Sequence, residues 1–80
     1  MRVIGVVFRH LGSIGVVSGI NPVGTVKFLY GNEMNQRTID VKLKNLKPVD
    51  FTDLTKNEYE AVLPLMQRVV FNLVDDMEIF

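Results

Sequence analysis

The stretch Gly24–Pro48, GTVKFLYGNEMNQRTIDVKLKNLKP, decides the fold because it contains two segments with the residue alternation of β-strands. Within Arg37–Lys44, apolar and polar side chains alternate, which is typical of a strand with one buried and one exposed face. Upstream, Thr25–Tyr30 shows the same period and ends at Gly31-Asn32. We predict two strands joined over Gly31–Gln36. Their apolar face is expected to receive a helix, and it comprises Val26, Phe28, Ile39, Val41 and Leu43.

Shorter segments with strand character precede this hairpin. Arg2–Arg9 carries apolar residues on both faces, which predicts a strand covered on both sides, and Ile14–Ser18 predicts a short second strand. His10–Ser13 predicts a tight turn, because Gly12 can adopt a positive φ. Gly19–Gly24 predicts a loop. Short strands at this spacing predict a meander that curls into a partial barrel.

The chain changes to a helical period after residue 54. Thr55-Lys-Asn-Glu58 has the pattern of a capping box, in which the first and last residues satisfy each other's backbone amides. Pro64 lies inside the expected helix and removes one backbone hydrogen bond, so we expect either a kink or a break into two segments near Leu63. The apolar stripe of this amphipathic helix is predicted to comprise Tyr59, Val62, Leu63, Met66, Val70, Leu73, Val74 and Met77.

These patterns predict one α+β domain over residues 1–80. Residues 1–48 are expected to form a small, strongly bent antiparallel sheet or partial barrel of four or five strands, residues 49–54 a connection, and residues 55–78 a C-terminal amphipathic helix packed on the sheet. Eighty residues lie near the lower size limit for a core without disulfides or metals. The apolar share of 48% is typical of a globular chain.

Three motifs, in this order along the chain, resemble the small SH3-like barrels of the KOW and Tudor kind. They are Gly12-Ser-Ile-Gly-Val-Val, Gly24-Thr-Val-Lys-Phe and Val41-Lys-Leu-Lys-Asn-Leu-Lys-Pro48. The resemblance covers about residues 12–48 and implies an SH3-like partial barrel that binds nucleic acid, ribosomal or RNA-polymerase surfaces, or peptides. The chain departs from the pattern in two ways: the aromatic cage of Tudor-type peptide binders is not visible, and a long C-terminal helix is no standard part of the module.

Charge is divided unevenly along a chain whose formal net charge is zero. Residues 1–49 contain seven Lys or Arg and two Asp or Glu, whereas residues 50–80 contain two and seven. One interpretation is a basic sheet beside an acidic helix, each solvating its own surface. The other is a basic face for an anionic partner, formed by Lys27, Arg37, Lys42, Lys44 and Lys47.

A second candidate surface lies on the helix. Leu65 and Phe71 fall outside the predicted stripe, so they either bury against the sheet or the preceding loop, or mark a second contact face. The simplest contact of that kind is a homodimer through the helices. Ile79 and Phe80 are apolar at the C-terminus and are expected to pack down or to meet a partner.

The sequence offers little for catalysis. It contains no cysteine and one histidine, so neither a disulfide framework nor a metal site is expected. His10 with Ser13 or Ser18 would be the nucleophile and base, but no orienting acid marks such a pair. We predict no cofactor. The longest apolar run, Val3–Phe8, is far shorter than the roughly 20 residues that cross a bilayer, so we expect no membrane partner and a cytoplasmic location.

The first hypothesis is therefore a non-enzymatic protein-interaction module, such as a small regulatory or inhibitory protein that docks on a larger complex. The alternative is a nucleic-acid-binding SH3-like barrel that uses the basic strand face. A small enzyme is the second alternative, and it requires the fold to assemble residues that lie scattered in the sequence.

Overall fold

A computed structural model describes residues 3–32 and 34–77, with side chains as far as residue 72. Its strands form one antiparallel sheet in the order β4-β3-β2-β1-β5, which bends into a partial barrel and does not close. One long helix follows, so the predicted α+β class is confirmed. The elements are β1 (Val7–His10), β2 (Ser13–Ile20), β3 (Thr25–Asn32), β4 (Asn35–Lys42), β5 (Lys47–Pro48) and α1 (Lys56–Met77), with 3-10 turns at Leu43–Asn45 and Phe51–Asp53.

The β3–β4 hairpin is tighter than the sequence predicts. The expected connection over Gly31–Gln36 is wrong, because the two strands remain paired as far as Asn32 opposite Asn35. The side-chain oxygen of Asn32 accepts hydrogen bonds from the amides of Met34 (3.0 Å) and Asn35 (2.8 Å). Such a side-chain bond closes a turn locally and lets the strands extend.

The first strand is shorter than Arg2–Arg9. The amide of Val6 donates to the carbonyl of Val3 (3.0 Å), which forms a turn, and β1 starts only at Val7. Arg2 lies outside the described residues. The expectation of apolar cover on both sides is confirmed for β1, because Val7 and Phe8 are both buried, in different clusters.

Both faces of the sheet carry a hydrophobic core. On the inner face, which lines the partial barrel, the buried residues are Val3, Phe8, Val17, Val26, Phe28 and Leu46. On the outer face, which meets the helix, they are Val7, Val16, Leu29, Val62, Leu65 and Val69. The neighbours Val16 and Val17 are completely buried in opposite clusters, as strand alternation requires.

The helix therefore packs on the face opposite to the predicted one. Val26 and Phe28, which were expected to receive the helix, belong to the inner face, together with the partly buried Ile39, Val41 and Leu43. The strong bend of the sheet brings this face round on itself, and side chains such as Leu46 help to fill the space. The helix covers the second apolar face instead.

The helix is also rotated relative to the predicted stripe. Its buried residues are Val62, Leu65 and Val69, whereas Tyr59, Leu63 and Val70 are 46%, 38% and 55% exposed. The buried side thus lies about a quarter turn from the predicted centre. Of the two alternatives for Leu65, burial against the sheet is confirmed and a contact face is not, because its side chain is completely buried there. The stripe positions Leu73, Val74 and Met77 lie outside the described side chains.

The helix start confirms the capping box. The amide of Glu58 donates to the Thr55 hydroxyl (3.1 Å), and the amide of Thr55 donates to the Glu58 carboxylate (3.2 Å). The same carboxylate receives the guanidinium of Arg9 (2.7 Å), which ties the helix to β1. The helix then continues through Pro64, so the interpretation as two segments is wrong.

The Arg9–Glu58 pair predicts a pH dependence of stability. The hydrogen bond from Arg9, followed by that from the Thr55 amide, lowers the pKa of Glu58. The resulting stabilisation is present above the ordinary pKa of a glutamate, near 4.3, and is lost as the pH falls through the lowered pKa. We expect the unaltered chain to lose free energy of unfolding as the pH falls from about 7 to about 3, and the Glu58→Gln variant to lose less. Urea titrations at both pH values measure the two losses. A matched variant is Glu60→Gln, and equal acid sensitivity of the two would contradict the prediction.

A close approach at Gly15 predicts a steric limit on the sheet. A Cβ placed there would lie 2.7 Å from Cζ of Phe28 and still closer to the carbonyl oxygen of Leu29. We expect Gly15→Ala to lower the free energy of unfolding by about 2 kcal/mol, because both neighbours are buried and packed. At Gly19 the nearest atom is a Lys27 side-chain carbon at 3.6 Å. Gly19→Ala is therefore expected to raise stability by about 0.5 kcal/mol, and equal costs at both positions would contradict the steric argument.

Candidate binding site

The predicted basic residues do not form one face. Cross-strand partners share a face, so Lys27 and Lys42 lie on the outer face, where Lys27 is opposite Asp40 and Lys42 opposite Thr25. Arg37 is opposite Tyr30 and lies on the inner face. Arg37 therefore does not share a face with Lys27 and Lys42.

The remaining two basic residues lie elsewhere. Lys47, on β5, is opposite Arg9 of β1, whose guanidinium points to the helix start on the outer face. Lys44 belongs to the 3-10 turn that follows β4. The sequence already indicates that Arg37 lies on a different face from Lys42. Arg37 and the apolar Ile39 are two positions apart in the alternating segment, so their side chains are on the same face of the strand.

An aromatic pocket of about 150 Å³ opens on the inner face. The β1–β2 turn and the central part of the β3–β4 hairpin supply its lining residues, which are His10, Leu11, Ser13, Phe28, Tyr30 and Ile39. Phe28 is completely buried, whereas His10, Tyr30 and Ile39 are partly exposed. The pocket therefore has a buried aromatic floor and walls that reach solvent.

The rings of the pocket are arranged around Phe28. Its ring stacks with that of Tyr30, with centroids 5.8 Å apart and planes 19° apart. His10 meets Phe28 edge to face, with centroids 6.0 Å apart and planes 64° apart. These are the distances and orientations that aromatic pairs favour. The sequence did not reveal this cluster, because His10 reaches the hairpin only through the pairing of β1 with β2 and of β2 with β3.

The rim of the pocket contains a strained backbone. Leu11 and Gly12 form the two-residue β1–β2 turn with φ of +49° and +83°. This is the left-handed geometry of tight hairpins, where Asn-Gly is the usual pair and a leucine is unfavourable. Leu11 is also 92% exposed. An exposed apolar side chain in a costly conformation at the edge of a pocket is a feature of binding sites.

One edge of the sheet lies beside the pocket. Among the described residues, β4 pairs with β3 on one side and with no strand on the other. It is eight residues long and contains no proline. An edge of this kind presents unpaired backbone donors and acceptors that another chain can pair with.

The lining of the pocket does not form catalytic or metal-binding geometry. His10 is opposite Ser13 across the turn, but no hydrogen bond joins their side chains in the described part of the chain, and no carboxylate is among the lining residues. Among the described side chains, those of residues 3–32 and 34–72, no three from His, Asp or Glu cluster as a cation would require.

The helix exposes apolar side chains of its own. Phe71 is 66% exposed, and Tyr59 meets Phe51 edge to face with centroids 6.3 Å apart. Ile79 and Phe80 lie outside the described residues. A homodimer through the helices stays a prediction. No helix in the described chain is long and apolar enough to cross a bilayer.

Comparisons with known proteins return no match: no family model, no curated protein and no solved structure is similar to this chain. The resemblance to SH3-like barrels of the KOW and Tudor kind therefore stays a prediction. The candidate site is defined by its own geometry.

The strain at the rim predicts a stabilising substitution. We expect Leu11→Asn to raise the free energy of unfolding by about 1 kcal/mol, because asparagine tolerates the left-handed conformation far better than leucine. Leu11→Ala removes the exposed side chain but keeps the backbone cost, so its stability should match that of the unaltered chain. Urea unfolding of the three proteins measures the effect, and equal stability of the Asn and Ala variants would show that the turn is not strained.

Proposed function

We propose that this chain is a non-enzymatic protein-interaction module that binds an extended segment of a partner protein along β4. The observation that carries the proposal is the open, proline-free edge of β4 beside an aromatic pocket. Strand addition of this kind supplies affinity through main-chain hydrogen bonds and specificity through pockets for alternate side chains. The proposal is consistent with the role of a small regulatory protein that docks on a larger complex.

The length of the edge supports this mode of binding. Eight residues at about 3.4 Å each give an edge of about 27 Å. Edges of this length are commonly blunted by prolines, bulges or a covering element. Among the described residues, β4 has no proline and no irregularity in its pairing with β3. Its charged residues Arg37, Asp40 and Lys42 are exposed and keep the strand hydrated.

The position of the pocket also supports strand addition. Side chains of an added strand would alternate between the two faces of the sheet, as those of β4 do. Those on the inner face would lie beside Arg37, Ile39 and Val41. Ile39 is itself part of the pocket lining, so a side chain opposite Ile39 would be next to the pocket.

The nucleic-acid alternative receives less support from the same geometry. A groove that follows a phosphate backbone needs several cations along one surface. Lys27 and Lys42 lie on the face opposite to Arg37, and Asp40 lies between them on the outer face. The pocket thus has one arginine nearby, whereas a nucleic-acid groove would need several cations along the same surface.

Strand addition predicts an alternating pattern of backbone contacts. We expect peptides selected from a random display library against this chain to protect the amides of Asn35–Lys42 in hydrogen exchange. Methylation of backbone nitrogens at every second position of a selected peptide should abolish binding, because those nitrogens donate to β4. Methylation at the intervening positions should leave binding nearly unchanged.

Three outcomes of this experiment would count against the proposal. Protection of α1 in place of β4 would place the interface on the helix. Equal sensitivity to methylation at every position would exclude strand pairing. A separate titration with short single-stranded RNA or DNA gives the third outcome. Binding at low salt that weakens steeply as salt rises, and that depends on Lys27 and Lys42, would replace strand addition with the nucleic-acid alternative.

A further inference from the structure

We infer that the aromatic pocket selects one aromatic side chain of the added segment, and that Arg37 selects an acidic residue two positions away from it. The inference rests on the proposed function and deepens it, because it gives the bound segment a side-chain chemistry. The segment would read acid-x-aromatic or aromatic-x-acid according to whether it runs parallel or antiparallel to β4.

The size of the pocket fits a single ring. Its volume is about 150 Å³. An apolar cavity of about the same volume, lined by leucine, isoleucine and phenylalanine, is known to bind benzene. Phe28 and Ile39 supply apolar surface here, and Leu11 adds more at the rim.

The lining adds a preference for aromatic over aliphatic side chains. The rings of His10 and Tyr30 both contact Phe28 and remain partly exposed, so a ligand ring can meet them through faces or edges. Aromatic pairs in such geometry contribute more than the area they bury.

Charge near the pocket favours an acidic neighbour and disfavours a cation. Arg37 shares the inner face with Tyr30, which is directly opposite on β3, and with Ile39, two residues further along β4. No carboxylate is among the described lining residues. Pockets that enclose methylated ammonium groups rely on the attraction of a cation to ring faces, and an adjacent arginine opposes it. A carboxylate instead gains a charge-assisted hydrogen bond from the guanidinium.

The spacing follows from the geometry of β4. Arg37 and Ile39 are two residues apart on the same face, which separates their Cα atoms by about 6.8 Å. An added strand has the same period, so residues two apart on that strand lie opposite this pair. A ring that enters the pocket beside Ile39 therefore places the residue two positions away beside Arg37.

A panel of synthetic eight-residue peptides tests the inference. The host sequence alternates threonine and valine, and it carries glutamate and phenylalanine two positions apart in either order. We expect the better order to bind about tenfold more tightly than peptides with lysine for glutamate, leucine for phenylalanine, or the pair placed one position apart. Titration calorimetry gives the affinities, and hydrogen exchange of Asn35–Lys42 reports the location.

Variants of the chain identify the groups responsible. Arg37→Gln should remove the preference for glutamate over lysine and keep the preference for phenylalanine. Tyr30→Leu should remove the preference for phenylalanine over leucine and keep the preference for glutamate. Leu11→Asn, which is expected to be more stable, should weaken binding of the phenylalanine peptide without altering the preference for glutamate. Lys42→Gln, on the same strand but on the outer face, is the matched control and should change neither preference.

The outcomes separate this inference from the proposed function. Equal binding of all peptides, with protection of β4, would overturn the inference and leave strand addition standing. Binding that needs Arg37 and Tyr30 without protection of β4 would overturn strand addition. Absence of binding by every peptide would overturn the inference, and the library selection then decides the proposed function alone. Single-stranded RNA that binds through Arg37 and Tyr30 more tightly than any peptide would assign the pocket to a nucleobase.

Discussion

The structure depends on the contact between Phe28 and Gly15. The absence of a side chain at Gly15 lets the Phe28 ring lie close against β2, where it is completely buried. That ring is part of the inner core and also the floor of the pocket. The packing of the inner face and the candidate site thus share one steric requirement. A methyl group at position 15 would disturb both.

Two-sided cover of the central strands explains why β4 is left open. Strands β1, β2 and β3 place buried residues on both faces, so the inner cluster and the helix together enclose them. On β4, Ile39 and Val41 are only partly buried, and no residue of the strand is fully buried. The helix reaches this strand through a hydrogen bond from Arg68 to Gln36 (2.6 Å). Among the described residues, no strand pairs with the free edge of β4. The edge proposed to bind a partner is therefore β4, the strand at which the hydrophobic core ends.

Stability and the proposed binding depend on different charged and strained groups. Arg9 and Glu58 join the helix start to β1, so part of the positive charge of the first half serves the fold. Arg37 lies on the other face, beside the pocket. Leu11 holds an unfavourable backbone conformation at the rim of that pocket, with its side chain in solvent. Such a local cost is consistent with a residue that serves binding and not folding.

Sequence pattern alone predicts the α+β class, the strand character of Thr25–Tyr30 and Arg37–Lys44, and the capped helix start at Thr55, because alternation and capping depend on residues close together in the chain. The alternation also places Arg37 on the same face as Ile39. Which face receives the helix, how the helix is rotated and whether Leu65 is core depend on contacts between residues far apart in the chain. A chain with two apolar sheet faces and a broadly apolar helix allows several such packings, so residues close together in the chain do not choose among them. The stretch 24–48 supplies three of the six pocket residues; the other three come from the β1–β2 turn through pairing across β2.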